Sequence, residues 1–250
     1  MNGPVRDKQN SNRDSADRRP VRSYVLRGGR LTEGQKRALE ELWPRFGIED
    51  GDSMIDLEAL FGNQAPVIME IGFGNGEATW QMASAYPQEN FLGVEVHRPG
   101  VGRLLLNIDK LGIENIRIVC ADAIDFLRNR IPERSLAGVR IYFPDPWPKK
   151  RHHKRRIIQP EFVRLLASRM RSGARLHLAT DWEPYADHML EVLESGAGFV
   201  NLAGKGNFHP KPEWRPETKY EKRGERLGHR VKDLLFARDH GTGSGILCTD

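Results

Sequence analysis

The chain has 250 residues, enough for one α/β domain with extensions, and 38% of them are hydrophobic, too many for a disordered protein. Its formal net charge of +5 fits a polyanionic partner without requiring one. Two cysteines, Cys120 and Cys248, exclude a disulfide framework or a cysteine metal site, and neither a signal-peptide core nor a membrane-length apolar run is present, so a reduced, cytoplasmic setting is expected.

In chain order, residues 1–22 mix Arg, Asp, Asn and Ser with little apolar content and read as a disordered basic arm. Thr32 opens a helix with a T-x-x-Q capping box closed by Gln35, and Leu39, Leu42, Trp43 and Phe46 form its apolar stripe. Five short apolar segments then alternate with helix-length stretches: Val67–Gly72, Phe91–Val96, Ile116–Cys120, Gly138–Phe143 and Ala174–Thr180. That rhythm predicts a mostly parallel, doubly wound Rossmann-like sheet, with Phe199–Gly204 and Val231–Arg238 as a closing antiparallel pair. Residues 241–250 are rich in Gly, Ser and Thr and read as a flexible tail.

Ligands of such a sheet bind beyond the carboxyl ends of its strands, and acids gather there: Glu70, Glu95, Asp122, Asp145 and Asp181. The first strand runs into E-I-G-F-G-N-G, with Gly72, Gly74 and Gly76 free to adopt positive φ and to let backbone approach a ligand. Compared with the dinucleotide pattern G-x-G-x-x-G, the third glycine comes one residue early. Glu70 would repel a pyrophosphate and attract the ammonium and sulfonium of S-adenosylmethionine. Glu95 at the second strand end suits two ribose hydroxyls, and Asp122 suits the adenine amino group or, equally, a helix cap.

After the fourth strand comes F-P-D-P-W-P-K-K-R-H-H-K-R-R, from Phe143 to Arg156. Prolines confine Asp145 on both sides, and an aromatic and a dense basic run follow. The pair His152 and His153 lacks a third ligand at a metal spacing, so no metal is expected. Further on stand T-D-W-E-P-Y-A (Thr180–Ala186) and T-K-Y-E-K-R-G-E-R-L-G-H (Thr218–His229). Together these motifs resemble the bacterial tRNA (guanine-N-7)-methyltransferase family from roughly Ser23 to Arg238. The F-P-D-P-W turn with its basic run is the specific part, and the glycine turn would fit many methyltransferases. Pro148 is a small departure that stiffens the approach to Lys149.

The resemblance implies a class I S-adenosylmethionine-dependent methyltransferase domain over residues 23–240, acting on a guanosine of the tRNA variable loop. It implies cofactor contacts at Glu70, Glu95, Asp122 and Asp145, with Asp145 also catalytic. It further implies substrate contacts at Lys149, Asp181, Thr218, Lys219, Tyr220 and Glu221, and RNA contacts at Arg151, His152, His153, Lys154, Arg155 and Arg156. No obligate protein partner is expected, and the unit is a monomer or a homodimer.

Guanine N-7 offers an in-plane lone pair and no proton, so its methylation needs alignment and negative charge rather than a base. Asp145 and Asp181 suit that task. Trp147 is a candidate for stacking on the base or for packing, and Asp181 is equally an N-cap for the helix opened by Pro184. Three alternatives stand beside this reading. One is methylation of an exocyclic amino group, another a non-catalytic RNA-binding protein, and the third a nicotinamide dehydrogenase, which the glycine spacing disfavours.

Overall fold

Residues 22–24, 29–196, 198–218, 221–222, 228 and 230–239 are described by the computed structural model. The expected arm, apart from Arg22, and the expected tail lie outside these residues, as do Lys219 and Tyr220. Strands β1 (Val67–Ile71), β2 (Asn90–Val94), β3 (Ile116–Val119), β4 (Leu136–Tyr142) and β5 (Met170–Thr180) pair in parallel. Strand β7 (Lys232–Arg238) runs antiparallel between β5 and β6 (Phe199–Asn201), giving the order β3-β2-β1-β4-β5-β7-β6. The order reverses direction between β1 and β4, the switch point at which open α/β sheets bind ligands.

Side chains alternate between two cores, as the two-residue strand period requires. Met69, Leu92, Val139, Leu176 and Phe236 pack with helices α6 (Ala123–Arg130), α7 (Pro160–Arg169) and α8 (Glu183–Ser195). Ile68, Phe91, Ile116 and Ile118 pack with α1 (Glu33–Glu41), α4 (Glu77–Ala85) and α5 (Arg98–Leu111). The Thr32–Gln35 capping box forms as read from the sequence. The first helix does not run through Phe46, however. It ends at Glu41, and Pro44 sits in the first turn of a new helix, α2 (Trp43–Phe46), because proline is tolerated there and not in a helix interior. A short helix absent from the sequence reading, α3 (Leu57–Phe61), is capped by Asp56 and ends on Gly62 at φ 71°.

Candidate active site

A cleft of about 210 Å³ opens at the carboxyl ends of β1, β2 and β4, and its lining includes Gly72, Glu95, Ala121, Tyr142, Phe143 and Asp145. Gly72 of the turn after β1 belongs to its lining, and Gly74 lies two residues further along that turn. Gly72 and Gly74 have φ of 73° and 58°, and a Cβ on either would point into open space. Gly76, at φ 72°, is glycine for a second reason: a Cβ there would lie 2.6 Å from Leu104 Cδ1 of α5. Only the first two glycines therefore leave room for a ligand, while the third lets two helices meet closely.

Glu95 is fixed by the same backbone. Its carboxylate accepts from the amides of Gly74 (2.8 Å), Val96 (2.7 Å) and His97 (3.0 Å). A carboxylate offers about four lone-pair positions, so roughly one remains for a ligand hydroxyl. Glu70 is placed differently. It faces α4, nearly fully buried, accepts from Thr79 Oγ1 at 2.8 Å and is not part of the cleft lining. Burial raises its carboxyl pKa to about 7 against the opposing effects of Thr79 and Arg140. Asp122 caps α6 by accepting from the Ile124 amide at 2.8 Å, so the cap half of its sequence reading is realised, and its neighbours Ala121 and Ala123 line the cleft. Ser23 and Tyr24 close one side. No motif marks them in the sequence, because only the folded chain brings them to the cleft, with Tyr24 beside Asp122.

The turn after β4 carries the strain of the site. Phe143 (φ 51°) and Trp147 (φ 43°) hold positive φ although both are bulky, at a cost of about 1–3 kcal/mol each. Three hydrogen bonds hold it in place. The Phe143 amide donates to Ala179 O (2.8 Å), Trp147 Nε1 to Ser23 O (3.1 Å) and Arg156 Nε to Pro146 O (2.9 Å). Between them Asp145 stands exposed at the cleft mouth. The Arg155 guanidinium lies over the Trp147 ring at 4.4 Å and His152 meets it edge-on, so Trp147 packs within the turn.

The basic run folds into a short 3-10 helix of two turns, Lys150–Arg155, and its members part company. Lys149, Arg151 and Lys154 are exposed, and His152, His153 and Arg155 are half-buried. Arg156 is only 4% exposed and faces Tyr185 at 4.8 Å, which sets it apart from its exposed neighbours. Asp181 follows β5, whose end pairs with the end of β4 (Tyr142 beside Ala179), so Asp145 and Asp181 leave adjacent strand ends. The N-cap of α8 is Trp182 rather than Asp181, which corrects the capping option. Thr218 and Glu221 sit together, with the Glu221 amide donating to Thr218 Oγ1 at 3.3 Å, and Glu221 is buried against Arg215. Among the described residues, no helix is long and apolar enough to cross a membrane, and no cluster of three or more His, Cys, Asp or Glu could hold a metal ion.

Comparison with known proteins agrees with this geometry. A family model described as "Putative methyltransferase" matches residues 64–234. Among solved structures, the 16S rRNA methyltransferase KamB superposes with a TM-score of 0.57 at 17% identity, covering 78% of this chain and 99% of its own, which establishes the class I methyltransferase fold. The tRNA (guanine-N(7)-)-methyltransferase of Alcanivorax borkumensis is 56% identical over 88% of this chain and 92% of its own length. That of Aeromonas hydrophila is 52% identical over 91% and 96%. The chain belongs to the bacterial tRNA (guanine-N(7)-)-methyltransferase family.

Proposed function

We propose that the protein transfers the methyl group of S-adenosylmethionine to N-7 of a guanosine in the variable loop of tRNA. The observation that carries the reading is Asp145, an exposed carboxylate fixed by a strained and triply braced turn at the mouth of a glycine-lined cleft. The cleft suits the cofactor. Gly72 presents backbone without a side chain, Val94, Ala121, Ala123 and Ile141 give apolar walls for a purine, and Glu95, held by the Gly74 amide, supplies an oriented acceptor. When bound, S-adenosylmethionine supplies an electrophilic methyl on a cationic sulfur. Glu70, Glu95, Asp122 and Asp145 are the acids assigned to it, with Glu70 acting from beneath the glycine turn rather than by contact.

The residues of this chain then have two tasks. Asp145, with Asp181 on the adjacent strand end, orients the base by accepting its N-H hydrogens and favours the positive charge that the base gains. No proton leaves N-7, so no general base is needed. Lys149, Arg151 and Lys154 meet phosphates, with His152, His153 and Arg155 completing the same turn, while Arg156 braces the turn from inside. The family resemblance also assigns Thr218, Lys219, Tyr220 and Glu221 to the substrate, and of these Glu221 is buried against Arg215 and would act through its neighbours.

The test is product identity. Protein incubated with tRNA and methyl-labelled S-adenosylmethionine should place the label in 7-methylguanosine after digestion to nucleosides. Label in an N2-methylated guanosine, or in no nucleoside, would overturn the reading.

A further inference from the structure

Arg215 lies outside every motif picked out in the sequence, yet it is 2% exposed at the centre of an extended buried polar network. Four of its five N-H donors are engaged. Nε and Nη2 reach the two oxygens of Asp233 on β7 at 2.7 and 2.9 Å, and Nη1 and Nη2 reach those of Glu221 at 2.8 and 2.9 Å. Lys211 Nζ adds a bond to Glu221 at 3.1 Å, and the Phe143 ring lies 6.0 Å from the guanidinium.

The network continues across the sheet toward the cleft. His177 Nε2 is 2.8 Å from Asp233, and His177 Nδ1 is 3.0 Å from the Tyr142 hydroxyl. Burial lowers the His177 pKa despite the pull of Asp233, while the bonds from His177 and Arg215 lower that of Asp233 despite its own burial. A neutral imidazole beside an ionised carboxylate must donate from Nε2, which leaves Nδ1 to accept from Tyr142 O-H. Tyr142 lines the cleft and immediately precedes Phe143. One unbroken chain of hydrogen bonds thus joins Glu221, on the acceptor side, to the strand that ends at the Asp145 turn.

We propose that Arg215 is a positioning residue for methyl transfer, holding Glu221 and the Phe143–Asp145 turn in one rigid arrangement so that the acceptor base meets Asp145 in a fixed orientation. The proposal rests on the function argued above and adds a residue that touches neither base nor cofactor. A guanidinium is required because its planar fork serves two carboxylates at once, whereas an ammonium is a single point of charge. The hydrogen bonds of Arg215 go to Asp233 and Glu221 and not to the glycine turn or Glu95, so its effect should fall on the acceptor side.

The experiment compares Arg215→Lys, Glu221→Gln and the double variant with wild type, below their melting temperatures and with tRNA and S-adenosylmethionine both saturating. The single-turnover rate of Arg215→Lys should drop about 100-fold, the scale of a misplaced reacting group, while calorimetry shows cofactor affinity unchanged. Because the two residues act as a unit, the double variant should be no slower than Arg215→Lys alone. A wild-type rate in Arg215→Lys, additive losses in the double variant, or a cofactor affinity that falls in step with the rate would each overturn the proposal. Should Arg215→Lys fail to fold, Glu221→Gln decides. Its rate should fall at unchanged cofactor affinity, and a wild-type rate contradicts the proposal. Wild-type protein that makes no 7-methylguanosine would instead refute the functional reading beneath it.

Discussion

The two ends of the cleft are built by different physical means. On the cofactor side, around β1 and β2, the work is done by main chain: positive-φ glycines with open space above them and a carboxylate held by three amides, two from its own neighbours in sequence. On the acceptor side, around β4, β5 and β7, it is done by side chains brought together from far apart. Trp147 reaches Ser23 across 124 positions, and His177 reaches Asp233 across 56. Main-chain cradles are rigid wherever the backbone is regular. Side-chain networks must be complete to hold their shape, since a buried polar group that loses its partner costs about 1–3 kcal/mol. The account therefore predicts that substitutions at the two ends fail in different assays.

The largest effect belongs to the acceptor side. Asp145→Asn keeps the shape but removes the charge and presents donors where acceptors are wanted, and single-turnover methylation should slow by about 10²–10³-fold. If Asp145 only braces the turn between its prolines, the rate will stay near wild type. Next comes stability at the cofactor end. A Glu70 carboxyl held at about 7 in the folded chain, against an ordinary value of 4.5, keeps its proton to higher pH when folded. The folded state is thus favoured most below pH 4.5, and that advantage is lost as the pH rises to 7 and beyond. Glu70→Gln, which cannot ionise, should be more stable than wild type at pH 8 by roughly 3 kcal/mol and nearly equal to it at pH 4.5, by urea denaturation at both pH values. An equal gain at both would show that ionisation of Glu70 is not the cause.

Glu95→Ala should weaken S-adenosylmethionine by about ten- to hundredfold, since it removes a charged acceptor and frees three amides of the cradle, while tRNA affinity stays unchanged. Calorimetric titration giving wild-type affinity would remove Glu95 from the cofactor site. The smallest effect is expected on the exposed face of the basic turn. Arg151→Ala with Lys154→Ala should lower tRNA affinity and reduce the salt dependence of binding by roughly one unit of slope per lost contact. An unchanged slope in filter binding would place the RNA elsewhere.

The same division explains what the sequence could show. The strands, their order of appearance and the antiparallel closure at β7 were legible because alternation and short apolar runs are local signals. So was the glycine turn, though sequence alone did not separate Gly76, which packs on Leu104, from Gly72 and Gly74, which have open space above them. In the basic run, composition presented six equivalent residues, while the fold turns Arg156 inward to hold Pro146. Arg215 was invisible for the same reason. A lone arginine between prolines carries no pattern, and its importance arises only when Asp233 and Glu221 converge on it. Tyr24 likewise joins the cleft by folding, with no motif around it.

The acceptor atom is proposed to be N-7, with the acceptor side only aligning and charging the base. A tRNA transcript carrying 7-deazaguanosine, in which N-7 is replaced by C-H, tests it directly. This RNA should bind the protein as tightly as the unmodified transcript and accept no methyl group. Methyl transfer continuing to the 7-deaza transcript would contradict it and move the chemistry to another atom of the base.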